Sequence, residues 1–380
     1  MKKISIINYQ LSIIFLLLTS CRQDVPVIPH EEEQKGEAQH TSVAAFYLLN
    51  EGNMGSNKAT LDYYDYASAV YRRNIYAEAN PNVPKELGDV GNDLQVYGSR
   101  LYAVINCSNK VEVLDARTCK RIGQIDIPNC RYIRFHDRYA YVTSYAGPVE
   151  IKPDYEQIGY VAKIDTATLQ EVARCLVGYQ PDELCIVGNR MYVANSGGYR
   201  VPNYEKELSV IDLTTFTEVK RIPVGINLHR VRADRHGQLW VTARGDYYDN
   251  PSRLYCIDLA TETVSDSLNV AVSDLDIVGD SLYLLATEWS YIDMQDVITY
   301  GIVDVKTHQL VSHSFITDGT EKSIQKPYGL RVNPVTGDIY VTDAKNYVTP
   351  GTLYAFSKAG VLLWSVRTGD IPAHLTFVEN

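Results

Sequence analysis

Amide, carboxylate, guanidinium, imidazole and aromatic side chains recur where short apolar segments of this sequence begin and end. Together they offer donors, acceptors, both signs of charge and broad apolar faces, which a bulky ligand with many polar groups requires. The candidate ligand-binding residues are Asn50, Glu51, Asn92, Asp93, Asn106, Arg131, Tyr132, Tyr145, Asp182, Asn195, Tyr199, His229, Arg230, Arg244, Tyr247, Trp289, Tyr328, Asp343, Tyr347 and His374. The competing interpretation is that the Asn and Asp side chains only satisfy the backbone at strand ends.

Signals for catalysis are few. The sequence contains neither a G-x-S-x-G nucleophile elbow nor an H-E-x-x-H zinc motif. Oxygen ligands from Glu51, Asn106, Asn195 and Asp343 could hold Ca²⁺, because hard cations take oxygen ligands.

Two histidines, His229 and His374, could act as acid–base groups, although a loop histidine more often only forms hydrogen bonds. We therefore predict a binding protein without catalytic residues, a metal or a catalytic cofactor. A Ca²⁺-dependent hydrolase or lactonase remains the alternative from another functional class.

The elements that must position these residues are short strands in a repeating pattern. Seven short β-branched or apolar runs each contain one central aromatic residue, and these aromatics are spaced 39 to 57 residues apart. They are Tyr47, Tyr102, Tyr141, Tyr192, Trp240, Tyr283 and Tyr340. Repeats of about 40–50 residues are typical of propeller blades. The sequence thus predicts an all-β fold, a seven-bladed β-propeller with four antiparallel strands per blade.

The innermost strand of each blade can be read from the sequence. The predicted inner strands are Asn92–Tyr97, Tyr132–Phe135, Asp182–Val187, Arg230–Ala233, Asp274–Val278, Tyr328–Val332 and His374–Val378. The N-terminal strand near Val43–Leu49 has no inner strand before it. We therefore expect the C-terminal strand to complete the first blade and close the ring, which hides both sheet edges.

Antiparallel order sorts the connections onto two faces. Short Gly- or Asp-containing turns share one face, and there Asp165, Asp212 and Asp258 are predicted to cap backbone amides. The long connections between second and third strands share the other face: Asn50–Thr60, Ser144–Tyr160, Asn195–Glu207, Arg244–Ser252, Glu288–Ile298 and Asp343–Pro350. Binding residues usually lie on such loops. The candidate residues should therefore surround the propeller axis on this second face.

The N-terminus carries an export signal. Two lysines follow Met1, and the apolar run Leu11–Leu18 is typical of a signal peptide and too short to cross a bilayer alone. Leu18–Cys21 is similar to the lipobox of bacterial lipoproteins, in which the Cys is lipidated after cleavage. We predict a signal peptide over residues 1–20 and lipidation at Cys21. An ordinary secreted protein with a chance Cys is the alternative.

A polar segment connects this signal to the repeats. It contains Pro and Glu31–Glu33 and lacks hydrophobic periodicity, so we predict a flexible tether over residues 21–40 and the propeller over residues 41–380. Acidic residues soon after the lipidated Cys resemble the export signals of surface lipoproteins in Bacteroides-type bacteria. The predicted location is the outer membrane, lipid-anchored and at the cell surface, with membrane contact through the lipid only.

The composition limits which classes of binding partner are expected. The formal net charge is −10, which argues against binding nucleic acid, or anionic lipid by charge. Seven Cys are present without metal-ligand spacing. Cys107 and Cys130 fall in loops on one predicted face, which leaves a disulfide between them open.

Five segments resemble one family: Leu49–Ser56, Leu87–Asp93, Tyr192–Gly198, Val341–Ala344 and Tyr347–Thr352. They are similar to the YncE-like seven-bladed propeller surface lipoproteins of Bacteroides-type bacteria, among which the BtuG family captures vitamin B12. The resemblance covers roughly Ala44 to the C-terminus. The Asn-Glu-Gly-Asn opening and the Tyr-Val-Thr-Pro-Gly stretch are its more specific parts.

This resemblance implies a function. It implies a corrinoid (cobalamin, vitamin B12) as the ligand and a TonB-dependent outer-membrane transporter as the partner that receives it. Another nutrient such as a glycan or haem, or a scaffold that contacts only a transporter, are the other interpretations.

Overall fold

The computed structural model describes residues 31–84, 86–290 and 294–380. Their strands form seven antiparallel sheets, each of which is one blade. The innermost strands of neighbouring blades contact each other in a closed cycle around a central channel. The prediction of a seven-bladed β-propeller is confirmed. Residues 1–30, which include the predicted signal peptide and Cys21, lie outside the described residues.

The strands follow the chain blade by blade. Blade 1 contains β1 (Glu31–Gln34), β2 (Val43–Asn50), β3 (Thr60–Asp65) and β4 (Val70–Arg73). Blade 2 contains β5 (Gly91–Tyr97), β6 (Arg100–Ile105), β7 (Lys110–Asp115) and β8 (Arg121–Asp126). Blade 3 contains β9 (Cys130–His136), β10 (Tyr139–Ser144), β11 (Tyr160–Asp165) and β12 (Gln170–Leu176). Blade 4 contains β13 (Pro181–Val187), β14 (Arg190–Asn195), β15 (Glu207–Asp212) and β16 (Thr217–Pro223).

The remaining blades repeat this order. Blade 5 contains β17 (Leu228–Ala233), β18 (Gln238–Ala243), β19 (Arg253–Asp258) and β20 (Thr263–Leu268). Blade 6 contains β21 (Asp274–Val278), β22 (Ser281–Ser290), β23 (Gln295–Asp304) and β24 (Gln309–Ser312). Blade 7 contains β25 (Pro327–Val332), β26 (Ile339–Asp343), β27 (Pro350–Phe356) and β28 (Leu362–Asp370), and β29 (Pro372–Glu379) follows it.

The C-terminal strand closes the ring. β29 is the innermost strand of blade 1 and pairs antiparallel with β2, where Leu48 lies opposite Leu375. The predicted closure is therefore confirmed. Both chain ends contribute to one sheet, so neither leaves the inner ring open.

Blade 1 also has a fifth strand, which differs from the tether predicted up to residue 40. β1 pairs with β4, and Glu31 lies opposite Arg73 while Glu32 lies opposite Arg72. Arg72 Nε is 2.6 Å from Glu32 Oε1, and Arg73 and Glu31 form a second ion pair. Opposite charges that face each other across strands stabilise a pairing that hydrophobic periodicity does not reveal.

The hydrophobic core is divided into seven clusters, each between two neighbouring blades. Each cluster contains one of the seven repeated aromatics, which are Tyr47, Tyr102, Tyr141, Tyr192, Trp240, Tyr283 and Tyr340. All seven are at most 9% exposed. The sequence repeat thus corresponds to one large buried side chain per blade interface, and burial of apolar area there is what holds the blades together.

The short-turn face also agrees with its prediction. Asp165, Asp212 and Asp258 each accept hydrogen bonds from backbone N–H groups of the turn that follows, for example 2.9 Å from Thr214 N to Asp212 Oδ1. These bonds hold the pKa of the Asp212 carboxyl below its ordinary value. The predicted capping role is confirmed.

Helical structure is scarce in the described residues. It comprises α1 (Ile75–Ala79), which packs beside β3, and a 3₁₀ turn at Thr320–Ser323. Neither is long or apolar enough to span a lipid bilayer.

Candidate functional site

The candidate site lies on the loop face, which we define as the face formed by the connections between the second and third strands of each blade. One of these connections differs from its prediction. The sequence predicts a loop at Glu288–Ile298, but β22 continues to Ser290, β23 begins at Gln295, and the two strands pair up to these two residues. Blade 6 therefore presents a long hairpin, which carries Trp289 on this face.

Two arginines share one buried carboxylate at the centre of the loop face. Arg244, just after β18, places Nη1 3.0 Å from Asp182 Oδ2, and Arg131 on β9 places Nε 3.4 Å from Asp182 Oδ1. Tyr145 donates its hydroxyl to the same Oδ1 at 2.6 Å, and its ring lies under the Arg131 guanidinium at 4.8 Å. Asp182 is fully buried. Tyr199 adds a second ring 6.2 Å from Tyr145.

A second chain of polar contacts adjoins this group. The Tyr132 hydroxyl lies 3.1 Å from both Arg230 Nη1 and His229 Nε2, and Arg230 Nε lies 3.2 Å from Asp274 Oδ1. Residues of blades 3, 5 and 6 are thereby linked in one chain of polar contacts. His229 is nine-tenths buried, and its Nδ1 has no hydrogen-bond partner among the described residues.

Burial and neighbouring cations disfavour the protonated form of His229. Burial lowers the pKa of its imidazole well below the ordinary value, and Arg244, Arg230 and Arg131 lower it further by charge repulsion. Burial also acts against the guanidinium of Arg131, but Tyr145 and Asp182 outweigh it and raise that pKa. The centre of the loop face is thus rich in cations within a chain of net charge −10.

A third group of polar contacts joins the N-terminal and C-terminal parts of the propeller. Glu51 accepts the Tyr328 hydroxyl at 3.0 Å and lies 3.1 Å from His374 Nε2. The ring of Tyr347 lies edge-on to Tyr328 at 5.8 Å, and the Lys326 ammonium lies 5.4 Å from the Tyr347 ring.

Six predicted residues use their side chains within the fold: Asn50, Asn92, Asp93, Asn106, Asn195 and Asp343. The Asn195 Oδ1 accepts from Gly178 N–H at 3.0 Å, and Asp343 accepts from the backbone N–H of Lys326 at 2.8 Å. All six are at most 8% exposed. The strand-end interpretation describes the contacts of Asn92, Asn106, Asn195 and Asp343. Asn50 instead bonds to the Thr60 hydroxyl, and Asp93 also pairs with Arg134.

Three predicted aromatics are exposed on the loop face. Tyr247 is 57% exposed, Trp289 49% and Tyr347 37%. Sequence reasoning missed Tyr248, which is 77% exposed beside Tyr247. Large exposed aromatic surfaces on neighbouring loops are typical of recognition sites.

Charged side chains line the channel below the loop face, and sequence reasoning did not select three of them, Arg134, Glu183 and Arg232. Glu183 is fully buried and pairs with both Arg134 and Arg232, and Arg134 Nη1 also lies 2.7 Å from Asp93. Burial acts against the Asp93 carboxylate, but Arg134 and His374 hold its pKa down at about 2. The cavity beside Asp93 and Arg230 leaves about 10 Å³, room for about one water molecule.

A sequence signal for these residues exists in hindsight. Charged residues alternate with apolar ones in two inner strands, as in Arg230-Val231-Arg232 and Asp274-Leu275-Asp276. Alternate residues of a strand point to the same side. Charge at both alternate positions of an inner strand therefore indicates a charged channel wall.

The described residues contain neither a metal-binding cluster nor the disulfide that the sequence left open. They contain no group of three or more His, Cys, Asp or Glu side chains that could hold a metal ion. Cys107 is exposed, Cys130 is buried, and both are free thiols, so the disulfide left open by the sequence is not formed.

Comparison with protein families matches residues 44–361 to the family described as "Domain of unknown function (DUF5074)". The chain belongs to the DUF5074 family. The match extends from β2 to the residue before β28. No curated protein matches this DUF5074 sequence.

Solved structures share the fold of this DUF5074 protein. Hydrazine synthase of Kuenenia stuttgartiensis has a TM-score of 0.60 at 15% identity, covering 76% of this chain and 95% of that one. A quinonprotein alcohol dehydrogenase-like protein of Bacteroides thetaiotaomicron has a TM-score of 0.59 at 14% identity, covering 89% and 79%. The computationally designed Ika8 protein has a TM-score of 0.53 at 12% identity, covering 92% and 95%. At these identities the similarity concerns the fold alone.

Proposed function

We propose that this protein is a cell-surface lipoprotein whose loop face binds a corrinoid and passes it to a TonB-dependent outer-membrane transporter. One observation carries the binding part of the proposal. Hydrogen-bonding and cationic groups at the channel mouth, among them Arg131 and Arg244, are accompanied on the same face by the exposed rings of Tyr247, Trp289 and Tyr347. The chemistry is that of a binding surface for a ligand with a broad flat face and a polar rim.

A corrinoid matches both parts of this surface. Its ring offers a broad face for aromatic side chains, and its peripheral amides and phosphodiester offer acceptors and donors. Leu49–Ser56 and Tyr347–Thr352 resemble the YncE-like propeller lipoproteins, a group that includes the B12-capturing family, and this resemblance supports the same choice of ligand. Capture and hand-over require no reaction, so we assign no catalytic residue.

Calorimetry tests the binding. Protein comprising residues 31–380, which contains all seven closed blades, is titrated with cyanocobalamin. We expect saturable binding with a nanomolar or lower dissociation constant, independent of Ca²⁺ and unaffected by EDTA. No heat together with an unchanged melting temperature would contradict a corrinoid ligand, and haem and glycans would be titrated next. Activity that a chelator abolishes would instead favour a Ca²⁺-dependent hydrolase.

The anchoring and hand-over parts have separate tests. Cys21 is the proposed lipidation site, so Cys21→Ala should prevent incorporation of labelled palmitate and release the protein from the outer membrane. Surface exposure predicts that protease added to whole cells degrades the wild-type protein. For hand-over, we expect cells without this protein to take up less cyanocobalamin at limiting concentration, with uptake restored by the wild type.

A further inference from the structure

The hydrogen bonds around Tyr132 favour one tautomer of His229. Arg230 can only donate, so the Tyr132 oxygen accepts from Arg230 Nη1 at 3.1 Å. No other acceptor for the Tyr132 hydroxyl proton is found among the described residues than His229 Nε2, also at 3.1 Å. When Tyr132 donates to Nε2 of the neutral ring, Nδ1 carries the ring proton.

This leaves a buried donor without an acceptor. The Nδ1–H of His229 has no partner among the described residues, although almost all buried polar groups in native proteins are hydrogen-bonded. An unpaired buried donor destabilises the protein unless something else accepts its hydrogen bond.

The neighbouring arginines also have donors to spare. A guanidinium has five N–H donors, and within the described part of the chain one donor each from Arg131 and Arg244 bonds to Asp182. Asp182 is also the one carboxylate with which these two arginines pair there. Their side chains are 19% and 29% exposed, so a solute on the loop face can reach them.

We propose that Arg131, Arg244 and His229 form an oxyanion subsite at the mouth of the channel, which accepts a phosphate or carboxylate group of the ligand. Two cations against one carboxylate leave a net positive charge, and the unpaired Nδ1–H supplies a third donor. Guanidinium groups match the oxygens of phosphate and carboxylate groups in bidentate geometry. The subsite rests on the proposed role of the loop face in binding, but not on the ligand being a corrinoid.

Sulfate is the probe, because it does not titrate near neutral pH. Residues 31–380 are titrated with sodium sulfate at constant ionic strength, and heat or tryptophan fluorescence is followed. We expect saturable millimolar binding that weakens about tenfold or more in Arg131→Gln and in Arg244→Gln, since each removes a charge-assisted hydrogen bond. Inorganic phosphate and acetate in parallel titrations then show which oxyanion the subsite favours.

A substitution that should tighten sulfate binding, rather than weaken it, distinguishes an anion subsite from a purely structural cluster. Asp182→Asn removes the competing carboxylate and should tighten sulfate binding about tenfold, whereas a purely structural role gives no tightening. Arg235→Gln and Asp280→Asn are the matched controls, because these residues form an ion pair of 2.6 Å on the short-turn face. Neither control should change the sulfate affinity.

Two outcomes overturn the subsite: absence of sulfate binding at tens of millimolar, or binding that Arg131→Gln, Arg244→Gln and Asp182→Asn all leave unchanged. Cyanocobalamin titrations of the same variants distinguish this failure from failure of the corrinoid proposal. Tight cobalamin binding without sulfate binding overturns the subsite and retains the corrinoid. Sulfate binding with the expected variant effects, without cobalamin binding, supports the subsite and overturns the corrinoid.

Discussion

Glu51 Oε1 lies 3.1 Å from His374 Nε2, although 323 positions separate the two residues along the chain. Glu51 follows β2, and His374 lies on β29, the strand that completes the same blade. The contact therefore places the closure of the ring and one edge of the candidate site at the same point. Changes that disturb the closing strand should affect both.

Gly329 provides a sharp test of this closure. A Cβ atom added to Gly329 on β25 would lie 2.0 Å from the Ala373 carbonyl oxygen, so the closing strand would have to move. We expect Gly329→Ala to lower the free energy of unfolding by about 1–3 kcal/mol, as measured by urea denaturation. In Gly198→Ala the nearest atom would be 3.5 Å away, and stability should stay unchanged. Equal stability of the two variants would show that the closing contact tolerates displacement.

Among the charged residues of the channel, we expect substitution of Glu183 to lower the free energy of unfolding most. Glu183→Gln leaves Arg232 without its carboxylate partner and Arg134 with Asp93 alone, and breaking a buried ion pair typically costs about 3–5 kcal/mol. Urea denaturation at neutral pH measures this loss. Glu171, which pairs with Arg174 near the surface, is the control, and Glu171→Gln should cost less than about 1 kcal/mol. A small effect at Glu183 would mean that the channel arginines find other partners.

His229 should make the protein sensitive to acid. Its pKa in the folded state lies well below the unfolded value of about 6.5, so below that pH the unfolded chain binds one proton more. Stability from this group is therefore full above about pH 6.5 and falls by about 1.4 kcal/mol per pH unit as the pH drops toward the folded pKa.

His229→Gln should remove this part of the acid sensitivity. The measurement is the free energy of urea unfolding of wild type and variant between pH 7 and 5. His313→Gln, at an exposed position, should keep the wild-type slope. Parallel slopes for the wild type and His229→Gln would show that His229 becomes protonated in the folded protein.

The exposed aromatics should contribute to binding but not to stability. We expect Trp289→Ala or Tyr247→Ala to weaken cyanocobalamin binding about thirtyfold, the effect of losing a typical aromatic hot spot. Calorimetry measures the affinity, and the melting temperature should change little because both side chains are about half exposed. Leu363→Ala, at a similarly exposed position on β28, serves as the control. Unchanged affinity in both aromatic variants would exclude these rings from the binding surface.

Most strands could be predicted because the residues of each strand indicate it without reference to distant parts of the chain. Alternation and the repeated aromatics identified the inner strand Asp274–Val278 with the same bounds as in the structure. The missed elements include β1 and the hairpin extension at Glu288–Ser290, which are both largely polar, and β1 also depends on pairing with the distant strand β4. Hydrophobic periodicity carries no signal for such pairings.

The candidate site was predictable as a face, but not residue by residue. The topology placed Asn195 and Arg131 alike near the channel mouth. Asn195 bonds to Gly178 and Glu207 within its own blade, whereas Arg131 pairs with Asp182, 51 positions away. Which side chains become internal braces depends on neighbours that only the folded ring brings together.

Asp93, Arg134, Glu183 and Arg232 form a cluster of paired charges in the channel. The cavity of about 10 Å³ beside Asp93 has room for about one water molecule, so we expect a solute bound on the loop face to stay on that face rather than cross the ring. A bound solute must therefore leave by the same face through which it entered. A partner protein that receives the solute must contact the loop face, which is the surface that bound it. While the solute is bound, it lies between this protein and the partner.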